Sequence, residues 1–286
     1  MQEIAPGIFV ESAYPPYNLG LIVTDHGAIV IDMPPRPSYA WAWQQQVEEA
    51  AGKPRYVVLT DASLERQVAA SLCDAPIIAG EAMLRALIAY DERGWREMLQ
   101  AYVTQHPEEG DELSQIKPHP PTVILDEHFL MHYREPALEF ESVEGGAPGS
   151  LWLTVTDLGL FFAGDTIVMD EPALLERTPD SKAWLNTLSH LARRTTVRQI
   201  VPGRGKAPIQ LSDIETQREF IRVMRRTART LAGNNNLRLM QCAQDLGQAF
   251  YNAQGQKAVR RIRAGLEHLV AEIHKARPMP DEEKEE

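Results

Sequence analysis

A mixed α/β or α+β class is predicted by this sequence, and three observations point there. Short β-rich runs alternate with amphipathic helical stretches through two successive halves; helical periodicity takes over from Leu211; and 44% hydrophobic content in 286 residues is enough for a substantial core in one main domain.

In chain order, GIFVES, LGLIVT and AIVIDM read as three strands, with Gly27 at the turn between the last two. PPRPS breaks the pattern, after which Ser38 is expected to cap a helix running to Ala51 and stopped by Gly52. KPRYVVLT, a helix from Ser63 and APIIAG then form a βαβ unit with parallel strands. Glu81 to Gln105 is helical with Gly94 as its weak point, and the Pro- and acid-rich HPEEGDELSQIKPHPP is expected to be an exposed loop, either a connector or a lid. TVILD, HFLMHY, ALEFESVE, SLWLTVT and GLFFAGD are strand candidates. Ser181 to Arg194 is an amphipathic helix with Trp184, Leu188 and Leu191 on one stripe, and QIVPG returns as a strand.

Beyond Leu211 two apolar stripes run at helical spacing: Ile221, Met224, Ala228 and Leu231, then Val259, Ile262, Leu266, Leu269 and Ile273. They bury either against the main body or in a homodimer contact through these C-terminal helices. The expected division is therefore 1–210 as the main domain, 211–276 as a helical extension packed on it, and 277–286 as a disordered acidic tail.

Composition excludes several function classes. A net charge of -11 argues against nucleic-acid binding, which needs a basic face, and the local clusters IRVMRRTART and KAVRRIR lie on helical patterns as solvated or interface faces. No apolar run approaches a membrane span, the first ten residues lack the charge pattern of a signal peptide, and Cys73 and Cys242 form neither a disulfide framework nor a thiolate motif. A cytoplasmic location is expected.

Five motifs stand in order along the chain: IVIDMP with Asp32, TDASLER with Asp61, Ser63, Glu65 and Arg66, GGAPGS with Gly146, LFFAGDT with Asp165, and IVPGRGK with Arg204. In order and spacing they resemble the landmarks of the metallo-β-lactamase fold superfamily. The resemblance implies a four-layer αββα sandwich with the landmark loops along one edge. It also implies a dinuclear metal site, whose His-x-His-x-Asp-His run falls on Asp61, Ser63, Glu65 and Arg66. Its third histidine falls on Gly146, its bridging aspartate on Asp165 and its last histidine on Arg204. All five imidazoles are replaced.

The replacement has chemical consequences. A catalytic zinc needs about three protein ligands and an open position, so that its bound water ionises near neutral pH. Glycine offers no ligand, and a guanidinium stays protonated and repels a divalent cation. Carboxylates left without metal would be costly to bury unless paired. Arg66 and Arg204 are therefore expected to form an ion-pair network with Asp165 and with one or both of Asp61 and Glu65. A plainer reading explains Asp61, Ser63 and Glu65 as a capped helix start with an acidic first turn, and Asp165 as a turn carboxylate bonded to backbone N–H groups.

Two functions from different classes follow. One is a degenerate, metal-free site in a non-hydrolytic binding, scaffold or regulatory protein acting on an unknown small molecule or protein, with no cofactor expected. The other is a hydrolase of a small ester, amide or phosphate, using Asp61, Glu65 and Asp165 to hold one divalent metal such as Mn, Mg or Zn. His128 and His132 read as surface or core residues rather than ligands, and neither cysteine has an activating partner. Tyr14, Tyr17, Trp41 or Trp43 is expected near the pocket rim, with one of the two tryptophans packed inward and the other outward.

Overall fold

The computed structural model of the chain describes residues 1–132, 136–233, 238–252 and 255–275. A seven-stranded sheet is built in chain order from β1 (Gln2–Ala5), β2 (Ile8–Glu11), β3 (Leu19–Thr24), β4 (Gly27–Ile31), β5 (Pro54–Val58), β6 (Ile77–Gly80) and β7 (Val123–Leu125). The first four strands are an antiparallel meander and the last four run parallel. A five-stranded sheet contains β8 (His128–His132), β9 (Ala137–Ser142), β10 (Leu151–Val155), β11 (Leu160–Val168) and β12 (Gln199–Arg204), in the order β12-β11-β10-β9-β8.

The period-two alternation of the strands sorts their side chains into three apolar layers. On β4, Ile29 and Ile31 point into the space between the sheets, where they meet Phe140, Leu153 and Phe162. Ala28 and Val30 point the other way, against α1 (Pro37–Ala51) and α2 (Leu64–Ala70). On β11, Leu160 and Phe162 face the inter-sheet core, whereas Phe161 and Ala163 face α6 (Ser181–Leu191) and the C-terminal helices. The result is helices, sheet, sheet, helices: an αββα sandwich.

The C-terminal helices α7 (Glu215–Gly233), α8 (Leu239–Tyr251) and α9 (Gln256–Lys275) complete the outer layer. Both predicted stripes are consumed inside the chain: Ile221, Met224, Ala228 and Leu231 on α7 and Ile262, Leu266 and Leu269 on α9 join Trp152, Phe161 and Trp184 in one core. Gln217 ties α7 to the sheet, accepting from Val168 N at 2.8 Å and donating to the Thr166 carbonyl at 2.8 Å. Several arginines of these helices face acids, Arg222 pairing with Glu215 and Glu219, Arg225 with Glu272, and Arg261 with Glu171. The expected acidic tail lies outside the described residues.

Four local expectations need correction. The strand β1, too short and polar to announce itself, precedes the predicted three. Ser38 does not cap α1: Pro37 occupies its first turn, Arg36 is the cap residue, and the Ser38 hydroxyl donates to Glu109 at 2.9 Å. The helical run from Glu81 breaks into α3 (Glu81–Ile88) and α4 (Glu92–Val103), and the break is at Asp91, whose side chain caps α4 by accepting from Gly94 N at 2.6 Å. The Pro- and acid-rich segment includes α5 (Gly110–Gln115), held because Glu109 accepts from Arg36 and Ser38. Of the two tryptophans on α1, Trp43 packs inward, fully buried, while Trp41 is outward and 54% exposed.

Because Gln217 satisfies two backbone groups inside the core, Gln217→Ala should lower the unfolding free energy by about 1–3 kcal/mol. Gln244→Ala, on the exposed side of α8, should stay within about 0.5 kcal/mol. Urea unfolding of the two variants checks the contrast.

Candidate functional site

The landmark residues converge at the ends of β4, β5, β11 and β12. Asp32 follows β4 with a positive φ of 58°, and this turns its carboxylate toward the end of β5. There Thr60 donates to it twice, from its backbone N at 3.0 Å and from its hydroxyl at 2.7 Å. Asp61 and Ser63 lie in the turn into α2, and Arg66 projects from that helix's first turn. Asp165 lies within β11, and Arg204 ends the neighbouring β12.

Arg66 sits at the centre with 0% exposure. Its guanidinium grips Asp32 with both arms, from Nε at 2.8 Å and Nη2 at 2.7 Å, while Nη1 donates to Asp61 at 2.7 Å and to Asp165 at 3.0 Å. Arg204 binds Asp165 from the other side through Nη2 at 2.9 Å and Nε at 3.1 Å. Tyr17 closes the assembly, its ring 4.1 Å from the guanidinium carbon of Arg66 and 4.9 Å from that of Arg204. Its hydroxyl is buried without a partner. Tyr17 was expected at a rim and instead lies in the interior, 1% exposed.

Asp165 and Asp61 therefore join the arginines, and Glu65 does not. Glu65 turns outward to a residue the sequence did not single out, Arg177, which holds it with two bonds of 2.7 Å each. Arg177 comes from the loop between β11 and α6 and is part-exposed, so this pair lies over the edge of the buried network. No motif marks Arg177, and only its position before the helix-capping Asp180 hints at an ordered loop. Ser63 occupies the cap position of α2, but its hydroxyl makes no capping bond; Asp61 instead accepts from Ser63 N at 2.8 Å. Gly146 takes no part in the network. A Cβ there would come within 2.9 Å of the Asp165 carbonyl and 3.3 Å of the Trp184 ring, so the histidine place of the landmark is filled by indole and backbone. Gly203 is equally constrained, because a Cβ there would fall 2.4 Å from Asp165 Oδ1.

The charges respond to these contacts in opposite directions. Burial opposes ionisation of Asp165, but Arg204 and Arg66 outweigh it and hold the carboxyl well below the usual carboxylate range. Burial likewise opposes the charge on Arg66, and Asp32, Asp61 and Asp165 outweigh it in turn. At Asp61 burial wins: its pKa is raised, since Arg66 is its one cationic partner and Asp165 and Asp32 repel it. Burial also pushes the Tyr17 hydroxyl well above its ordinary value.

No family profile matches the sequence, and neither does any curated protein. Solved structures do match. The stereoselective inverting sec-alkylsulfatase Pisa1 from Pseudomonas sp. superposes with a TM-score of 0.68 at 14% identity, over 97% of this chain and 52% of the sulfatase. A metallo-beta-lactamase family protein of Thermus thermophilus superposes with a TM-score of 0.62 at 16% identity, over 96% of this chain and 95% of that one. The chain has the metallo-β-lactamase fold. It spans about half the length of the sulfatase, and a metallo-beta-lactamase from Pontibacter korlensis covers 77% of it at 11% identity with a TM-score of 0.57.

The metal site implied by the metallo-β-lactamase fold does not suit these residues. Every carboxylate at the centre, Asp32, Asp61 and Asp165, already accepts from a guanidinium, and Arg66 places its own cation among them. Glu65, offered with Asp61 and Asp165 as an oxygen-rich alternative, is directed to Arg177 instead. No group of three or more His, Cys, Asp or Glu side chains among the described residues is arranged to hold a metal ion. His128 and His132 lie exposed on β8, and Cys73 is buried with its thiol pKa pushed up by desolvation.

Removing one partner from a buried ion network leaves the others uncompensated, so Arg66→Ala and Arg204→Ala should each cost about 3–5 kcal/mol in urea unfolding. Arg66→Lys should also destabilise, because an ammonium cannot reproduce the fork that grips Asp32.

The pH dependence has two signs. A carboxyl held below its unfolded value of about 3.9 contributes stability that is present above that pH and lost as the pH falls through the folded value, which is the case of Asp165. A raised carboxyl does the reverse, so the Asp61 contribution is complete at acid pH and declines as the pH climbs above about 3.9. Asp61→Asn should remove that decline, and its melting temperature relative to wild type should rise as the pH climbs above about 4.

Proposed function

We propose that this protein does not hydrolyse by the metal mechanism associated with its fold and works as a non-hydrolytic binding, scaffold or regulatory protein, its centre held by arginine in place of metal. One observation carries the reading: the fully buried Arg66 makes four hydrogen bonds to Asp32, Asp61 and Asp165. Metal-assisted hydrolysis needs a cation that keeps an open coordination position for water and lowers its pKa toward about 7. A guanidinium has no coordination position and, staying protonated, cannot act as a base. The central carboxylates are shut off from bulk water, Asp32, Asp61 and Asp165 being buried and engaged by Arg66 or Arg204.

The divalent-metal hydrolase built on Asp61, Glu65 and Asp165 gains no support from the geometry, since Glu65 is turned to Arg177. No helix among the described residues is long and apolar enough to cross a membrane. A cytoplasmic location and a small-molecule or protein partner, rather than nucleic acid, accord with the net charge of -11 and the acid-paired arginines of α7 and α9.

Elemental analysis of protein purified without chelator should find well under one equivalent of zinc, iron or manganese. An esterase, lactamase, phosphodiesterase and sulfatase screen should show no turnover above background, with or without those metals added. Stoichiometric metal accompanied by an activity that disappears in Asp165→Ala would falsify the proposal.

A further inference from the structure

Of the eight large apolar side chains exposed among the described residues, Ile124, Phe129 and Leu130 fall within one seven-residue stretch. That stretch forms one margin of the sandwich, because β7 ends the seven-stranded sheet and β8 ends the five-stranded one. Phe129 is 39% exposed although its ring lies 6.0 Å from that of the buried Phe140. An open apolar edge invites strand pairing, and proteins ordinarily blunt it with proline, lysine or a bulge. β8 has none of these: its residues are His-Phe-Leu-Met-His, and its register with β9 runs without a shift.

One hydrogen bond fixes which backbone groups are free. Ser142 N donates to the Glu127 carbonyl at 2.7 Å. Antiparallel ladders alternate, so Glu127, Phe129 and Met131 turn their N–H and C=O toward β9, and His128, Leu130 and His132 turn theirs outward. The outward set is centred on Leu130, and the strand is symmetric in chemical class about the same residue. An antiparallel copy rotated about a two-fold axis at Leu130 sets that residue opposite its own equivalent, each histidine opposite the other histidine, and Phe129 opposite Met131. All three outward-facing residues then bond to the copy.

We propose that β8 is a homotypic interface, pairing edge to edge with β8 of a second copy so that two five-stranded sheets join into one across a two-fold axis. The self-complementary order of HFLMH selects a second copy over an unrelated strand, for which that symmetry has no use. The C-terminal stripes leave little for a rival contact, since their residues are spent inside the chain. A five-residue ladder buries less than the roughly 1,200 Å² of standard interfaces, so the dimer should be weak, with a Kd on the order of 10 µM.

Sedimentation equilibrium of the full chain over roughly 1–300 µM tests this directly, and wild type should show a reversible monomer–dimer equilibrium. Leu130→Pro deletes an outward N–H while leaving the ladder to β9 intact, so it should weaken association at least about tenfold with an unchanged circular dichroism spectrum. Leu130→Lys, which places a charge on the axis, does the same should the proline variant fold poorly. In a Cys242→Ser background, Leu130→Cys should be cross-linked into a dimer by a short bis-maleimide, because opposed residues in a hydrogen-bonded pair are about 5.5 Å apart at Cα, within reach of the linker though wide for a direct disulfide. Wild type that stays monomeric across the range overturns the proposal. So does a wild-type dimer unaffected by either the proline or the lysine variant, or a Leu130→Cys variant that fails to cross-link.

Discussion

A single guanidinium holds the landmark edge of this molecule together. Arg66 reaches from the first turn of α2 to the end of β4 through Asp32, to the β5–α2 turn through Asp61 and to β11 through Asp165. Arg204 extends the tie to β12. Four chain segments, distant in sequence, thus take their relative positions from two side chains. Buried ion pairs of this kind add little net stability over a well-packed apolar centre, since desolvation offsets most of the attraction. What they impose is geometry, because each carboxylate oxygen must be where a donor is. The close approaches at Gly146 and Gly203 are part of the same constraint: the network tolerates no extra carbon on the backbone around Asp165.

The charge count explains why the three aspartates behave differently. Two cations face three carboxylates, and the donors are shared unequally. Asp32 accepts four bonds and Asp165 accepts from both arginines, whereas Asp61 has one guanidinium arm and one backbone N–H. With the fewest donors and two negative neighbours, Asp61 is where burial prevails over attraction, consistent with its raised pKa. Tyr17 adds a ring face to both cations, an interaction that strengthens when the cation is desolvated. Aromatic closure and carboxylate pairing therefore satisfy the arginines from different directions, and the interior space is taken up by side chains.

Much of this was legible because it rests on strong local signals. The short β-rich runs, the glycines at Gly27 and Gly52, and the apolar stripes of α6, α7 and α9 all resolved as expected. The pairing of Arg66 and Arg204 with carboxylates was readable too, since buried cations at adjacent loop ends have few other ways to be satisfied. Arg177 was not readable. It sits in an irregular loop, its partner Glu65 is 112 residues away, and neither periodicity nor a motif links them. That long-range pair also decides between Asp61 and Glu65 as partners of the network, a choice the sequence left open. Two further errors are competitions between caps: Asp91 ended the run that Gly94 was expected to weaken, and Glu109 captured Ser38 from its predicted role at the start of α1.

The αββα fold and the charge network rest on different residues. The αββα body is carried by three apolar layers whose residues alternate along the strands, and none of the network's charged residues belongs to them. Structures only 11–16% identical superpose on this chain, as expected when patterning and volume rather than identity specify the layers. The loop ends that meet at Arg66 need one thing from their centre, which is positive charge placed among converging carboxylates. An inorganic cation and a pair of guanidiniums both meet that demand. They differ in what they leave available, because a cation can retain an open position for water, while the forks of Arg66 and Arg204 spend their donors on Asp32, Asp61 and Asp165.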